Sequence, residues 1–169
     1  MKGFNLIELM IVIVIFSIIL GAIFATMTIS GLSWYSGSTQ VEMQQEVRRG
    51  LDRIVKELRQ SNPTMITGVP ANGIPYNSIS FRLPLTDNNG DITWSNTINY
   101  SLGGLNNRQL LRTEGTNQEI LANNIVGLQL TRQVSASNII EVTLQSQKAT
   151  VLGHIVATTL NSKIKFRNY

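Results

Sequence analysis

The pattern of apolar and polar positions divides the chain into three stretches. From Leu9 to Ile29 no charged residue occurs, and only Ser17, Gly21, Thr26 and Thr28 break a run of Leu, Ile, Val, Met, Phe and Ala. A helix of about 20 such residues spans a hydrocarbon core of ~30 Å, so this stretch predicts a membrane-spanning helix. Further on, Val41, Val47, Leu51, Ile54, Val55 and Leu58 recur at three- and four-residue steps, the mark of an amphipathic helix with one core face. Gly31, Ser33, Ser36, Gly37 and Ser38 lie between the two and weaken helical preference. Residues 5–61 thus predict one long helix, with a bend or local melting allowed near Gly31 to Ser38. Asp52/Lys56 and Arg53/Glu57 are i,i+4 charge pairs on its polar face. Asn62-Pro63 ends it.

After Pro63 the period becomes that of strands. Residues 64–77 hold Pro70, Gly73 and Pro75 and predict a loop over the helix. A strand is expected at 78–85 with Ile79, Phe81 and Leu83 on one face, and a turn at Asp87-Asn88-Asn89-Gly90-Asp91. A second strand is expected at 92–102, with Ile92, Trp94, Ile98 and Tyr100 among its apolar positions. Gly103-Gly104 and Asn106-Asn107 mark a turn before a short strand at 109–113. Strands at 119–122, 125–133 (Leu128 and Leu130 inward), 139–145 and 155–166 follow. The fold class is α+β: a long N-terminal helix, half membrane-spanning and half amphipathic, packed on an antiparallel β-sheet domain.

The start of the chain carries the candidate chemistry. Met1-Lys2-Gly3-Phe4-Asn5-Leu6-Ile7-Glu8 sets a cation and a small residue ahead of an apolar wall, with one carboxylate at its entrance. An Asp at the centre of a membrane helix costs about 2.5 to 3.5 kcal/mol, and a Glu nearer the end costs less. An ionisable residue in such a place points to a functional partner. The partner we expect is the amino terminus of a neighbouring copy, freed by cleavage after Gly3. A signal peptide has a shorter apolar core, ending at its cleavage site; here the cleavable residue precedes a longer core. A plain N-terminal anchor explains neither Gly3-Phe4 nor Glu8. Lys2 is the last cation before Arg48, which orients the N-terminus to the cytoplasm. Trp34 and Tyr35 sit just past the span, where they suit either the headgroup zone or packing on the globular domain.

Lys2-Gly3-Phe4-Asn5-Leu6-Ile7-Glu8-Leu9 resembles the class III signal of type IV pilins and type II secretion pseudopilins. In that family a prepilin peptidase cuts after the glycine and methylates the new first residue. The resemblance implies that Gly3 ends the leader, that Phe4 begins the mature chain, and that Glu8 is its fifth residue, where the family keeps a glutamate for subunit assembly. It divides the chain into a leader at 1–3, a transmembrane helix at 4–30, an amphipathic continuation at 31–61 and a β-rich globular domain at 62–169. The membrane half lacks the proline found there in many major subunits, which favours a minor one. Arg48-Arg49-Gly50-Leu51, Asn99-Tyr100-Ser101-Leu102, Gln109-Leu110-Leu111-Arg112-Thr113, Leu121-Ala122-Asn123-Asn124-Ile125 and Phe166-Arg167-Asn168 resemble segments of J-type minor pseudopilins and PilW-type minor pilins. The function implied is a minor subunit of a type II secretion pseudopilus. The alternative is a minor type IV pilin that primes or decorates a surface fibre for adhesion, motility or DNA uptake. The implied partners are other pilins or pseudopilins, the prepilin peptidase, an inner-membrane assembly platform and membrane lipid. The implied location is the cytoplasmic membrane, single-pass, with the C-terminal domain periplasmic or extracellular.

Composition narrows the chemistry further. The chain has 169 residues, 14% of them charged, no Cys and one His, His154. No disulfide framework and no zinc site can be built from that set, and no Ser-His-Asp triad is argued from His154 between Gly153 and Ile155. Gly103-Gly104 lacks a following lysine and helix, so phosphate binding is unsupported. Asp87 to Asp91 is oxygen-rich like a calcium loop but lacks the spaced acidic ligand; a turn accounts for it. Neither enzyme activity nor a cofactor is expected. A net charge of +4 is too weak and scattered to point to nucleic acid, and Trp94 and Tyr100 alternate as core strand residues.

Overall fold

The computed structural model describes residues 5–86, 90–150 and 153–166. One helix, α1 (Leu6–Gln60), leads the chain, and the structure divides into two compact units, Met1–Thr39 and Gln40–Tyr169. Gly31 to Ser38 are helical throughout, so the bend or melting allowed there does not interrupt the helix. The hydroxyls of Ser38 and Thr39 bond the Tyr35 carbonyl inside the helix rather than competing with it.

In the second unit the helix buries Met43, Val47, Gly50, Leu51, Ile54, Glu57 and Leu58, steps of three and four along one face. Val41, expected on that face, is exposed because it lies out of phase with Val47; Met43 takes the place. Of the two expected charge pairs, Arg53–Glu57 closes at 2.7 Å. Asp52 and Lys56 make no ion pair among the described residues. The Ser61 hydroxyl caps the helix end by donating to the Leu58 carbonyl, and the Asn62 side chain accepts from the Thr64 N–H across Pro63.

Among the described residues ten strands follow: β1 (Pro75–Tyr76), β2 (Ser78–Phe81), β3 (Pro84–Thr86), β4 (Ile92–Trp94), β5 (Ile98–Gly103), β6 (Gln109–Glu114), β7 (Asn117–Asn123), β8 (Ile125–Arg132), β9 (Ile139–Ala149) and β10 (Ile155–Lys165). They form antiparallel sheets in the orders β2-β5-β6-β7 and β1-β8-β9-β10, with β3-β4 as a separate ribbon. The single strands expected at 78–85 and 92–102 are each split. Leu83 and Ser95 exchange hydrogen bonds there through the Ser95 hydroxyl and N–H, and Pro84 opens the side ribbon. Ile92 is consequently exposed and Trp94 only half-buried, whereas Ile98 and Tyr100 are fully buried. Within the expected loop at 64–77, Pro75-Tyr76 pairs with β8. The expected turn at Asp87 to Asp91 lies partly outside the described residues.

The core fills the space between the helix and both four-stranded sheets, with Ile79, Phe81, Leu110, Leu128, Leu130, Val142 and Leu144 at its centre. Leu110 and Leu111 are both buried, but on opposite faces of β6: Leu110 belongs to the central core, and Leu111 lies over Gly103 of β5, where a Cβ would come within 2.5 Å of it. Gly50 is where the helix comes closest: a Cβ there would lie 2.9 Å from Leu110 Cδ2, 3.5 Å from Ala122 and 4.0 Å from Leu144. One missing side chain thus lets α1 touch β6, β7 and β9 together. Gly50→Val should destabilise the full chain by about 1–3 kcal/mol through overpacking. Gly50→Ala should cost little, since a flexible Leu110 end can move and alanine gains helix propensity. Denaturant midpoints in detergent check this, and a valine variant as stable as wild type refutes the close approach.

Candidate functional site: two carboxylates on one helix

Glu8 lies in the first turn of α1 and is exposed. The Asn5 carbonyl accepts from the N–H of Glu8 at 2.9 Å and of Leu9 at 3.2 Å, which makes Asn5 the residue that opens the helix. A carboxylate here meets the positive end of the helix dipole, worth about 0.3–1 kcal/mol at an exposed site. That local benefit does not supply a counter-charge, and among the described residues no side chain pairs with Glu8. Gly3 and Phe4, the two expected processing residues, lie outside the described residues.

The helix beyond Glu8 is apolar all round. Side chains from Leu9 to Phe24 stand exposed on every face, including Ile11, Ile15, Phe16 and Ile18. At 1.5 Å per residue, Leu9 to Ile29 reaches about 30 Å, the depth of a bilayer core. The few polar side chains satisfy themselves: Ser17 donates to the Ile13 carbonyl at 2.8 Å, Thr26 to Ile23 at 2.8 Å and Thr28 to Phe24 at 2.9 Å. No hydroxyl in the span therefore needs water, as hydrocarbon demands. Among the described residues this is the one helix long and apolar enough to cross a membrane, and it fits a membrane anchor. Trp34 and Tyr35 are exposed on the same unit.

The second carboxylate is buried. Glu57, on the core face of α1, is 6% exposed. Tyr100 on β5 donates its hydroxyl to Glu57 Oε2 at 2.8 Å, and Arg112 Nε on β6 lies 3.1 Å from both carboxylate oxygens. Arg53 Nε reaches Oε1 at 2.7 Å from one helical turn back. Arg112 also donates Nη2 to Glu114 Oε2 at 2.7 Å, and Tyr100 stacks on Phe81 with ring centroids 6.0 Å apart. Burial, then the Glu57 charge, pushes the Tyr100 phenol well above the usual tyrosine range. Burial alone would lower the Arg112 guanidinium; bonds to Glu114 and Glu57 outweigh it and hold it above the ordinary arginine value. Sequence reasoning placed Glu57 on the polar face. The available signal was its spacing, three after Ile54 and seven after Gly50, which puts it on the buried stripe.

His154 is exposed in the β9–β10 hairpin, its carbonyl accepting from Thr150 N–H at 2.7 Å. Among the described residues no three His, Asp or Glu side chains converge as metal ligands.

Removing the Glu57 carboxylate strands a buried tyrosine hydroxyl and takes a partner from both Arg53 and Arg112, of which Arg112 keeps Glu114. Glu57→Ala should lower stability by about 3 kcal/mol, measured by denaturant unfolding of the full chain in detergent. The raised Tyr100 value means the folded state favours the neutral phenol. Its stabilisation is therefore complete below the ordinary tyrosine value of about 10 and is lost as pH climbs above that. Melting temperature should fall more steeply above about pH 10 in wild type than in Tyr100→Phe. Tyrosinate absorbance should show one phenol ionising only with unfolding; simultaneous titration of every tyrosine in the folded protein would refute its burial against Glu57.

A family model described as the prokaryotic N-terminal methylation motif matches residues 1–24. No curated protein and no solved structure matches the chain. The match spans the candidate cleavage residue Gly3, Phe4, Glu8 and the apolar run as far as Phe24. The chain therefore carries a type IV pilin-like, prepilin-type signal at its N-terminus, followed by an α+β pilin-like architecture.

Proposed function

We propose that this chain is a minor pilin-like subunit of a type II secretion pseudopilus, assembled by packing of its N-terminal helix. The observation that carries the proposal is the methylation motif at residues 1–24 with Glu8 inside it. Prepilin peptidase would cut after Gly3 and methylate Phe4, leaving a cationic amine. Glu8 of one subunit would meet that amine on its neighbour as helices stack in the membrane. In a low dielectric a charge pair offsets its desolvation only when both partners are present, so the contact would select one axial offset between subunits. Leu9 to Ile29 would supply the apolar contacts between helices, and the cytoplasmic side of the membrane would hold Lys2. The β-rich domain would then face the periplasm or exterior and act as a structural part rather than an enzyme. The proline-free membrane half supports a minor subunit.

Intact mass and N-terminal sequencing of the membrane-extracted protein should give methylated Phe4 as the first residue. Gly3→Leu should retain the leader; a mature mass unchanged in that variant would refute the cleavage site. Glu8→Val should insert and be cleaved normally yet copurify with partner pilins at least about tenfold less. Undiminished copurification would refute the role of Glu8. Deletion should leave secreted proteins trapped in the periplasm; loss of surface fibres with normal secretion would favour the surface-pilin alternative.

A further inference from the structure

The end strand β10 is the longest open sheet edge among the described residues of the second unit. It ends the order β1-β8-β9-β10 and pairs with β9 in an unbroken register from Ile155↔Ala149 to Lys165↔Ile139. The residues flanking it set its phase: Phe166 N–H donates to the Asn138 carbonyl, and the His154 carbonyl accepts from Thr150 N–H, both on the β9 side. Even-numbered residues therefore bond β9, and Ala157, Thr159, Asn161 and Lys163 turn their N–H and C=O groups to the open edge. By contrast β1 has two residues, and β2 is closed by a bridge between Thr67 and Ser80.

A groove runs between this strand and the flank of α1. Near one end a cavity of about 460 Å³ is lined by Val41, Arg48 and Leu160. Near the other a cavity of about 610 Å³ has Val55 and Phe166 among its lining, with Lys56, Arg59 and Lys165 as cations and Asp52 as its one acid. Arg48, Asp52, Lys56 and Arg59 follow one another at helical spacing, so the cations line a single flank. None of Arg48, Lys56, Arg59 or Lys165 makes an ion pair among the described residues. The groove thus offers an apolar floor, a positive rim and an unused row of backbone donors and acceptors.

We propose that this groove takes an extended acidic segment of another protein, added as a further antiparallel or parallel strand to β10. The unpaired backbone row calls for another backbone, which neither a nucleic acid nor a lipid headgroup provides. The positive rim calls for carboxylates on that segment and disfavours a second copy of β10, which brings Lys163 and Lys165 to the same place. Apolar side chains on the segment's inner face would fill the floor beside Leu160 and Phe166. The proposal involves the second unit alone and holds whether or not the N-terminus is processed.

The test uses the full chain in detergent and a capped synthetic peptide alternating valine with glutamate. Binding should weaken with salt, and the valine–lysine counterpart should not bind. Hydrogen exchange should slow at the amides of Ala157, Thr159, Asn161 and Lys163 when the acidic peptide is bound, in the unaltered protein. Asn161→Pro removes an outward N–H without touching the β9 ladder and should weaken binding about three- to tenfold. Lys56→Glu with Arg59→Glu should weaken it by about tenfold or more. Equal binding of the lysine peptide, tighter binding of a thymidine homopolymer, or unchanged exchange at the four amides overturns the proposal.

Discussion

The buried Glu57 carboxylate is the point on which the second unit is organised. Helix packing by apolar contact is forgiving, because a helix can slide or rotate and still bury similar area. A carboxylate that must meet Tyr100 on β5 and Arg112 on β6 together has far fewer solutions. Desolvating it is costly, and the cost is met only at the one rotation and offset where both of these partners arrive. Gly50, two turns earlier, allows the close approach that brings them within reach. Steric permission at one position and polar obligation at another together define how α1 lies on its sheets.

Glu8 and Glu57 show how one residue type takes opposite roles on one helix. Glu57 finds its counter-charges within its own chain and is structurally closed. Glu8 begins an apolar stretch in which every described hydroxyl is already bonded to its own helix. The span therefore asks nothing polar of its surroundings except at that carboxylate. On the proposed function the missing charge comes from a neighbouring subunit, and the same desolvation logic that locks Glu57 within the domain would lock register between subunits.

The long helix, its apolar span and the β-rich remainder were legible because each has a strong period in the chain. The boundary at Asn62-Pro63 was legible because it breaks backbone rules locally. What was hidden depends on contacts distant in sequence. The expected strands at 78–85 and 92–102 divide because Ser95 supplies a side-chain bond to Leu83, which no period encodes. Leu111 is buried on the face opposite Leu110 because it lies against Gly103 on the neighbouring strand β5. Glu57 was assigned to solvent because a charge pair with Arg53 accounts for it locally; the pair exists, and the other partners come from residues far along the chain. At the N-terminus the motif was legible as a combination of Gly3, Phe4 and Glu8, none of which would carry it alone.

The edge of β10 poses the remaining physical question. A long, regular strand with one row of backbone groups unpaired is a hazard for any chain that must stay apart from others, and charge is a usual protection. Here Lys163 and Lys165 lie on the strand itself, and Arg48, Lys56 and Arg59 line the facing helix flank. That distribution repels copies of itself while attracting the opposite charge. Protection against self-pairing and selection of an acidic partner are then the same electrostatic field seen by two different visitors. A sheet that needed only protection could have been closed by a short edge or a bulge, as β1 and the β2 bridge close theirs. Keeping β10 long, straight and positively flanked preserves the ladder for a strand that brings carboxylates.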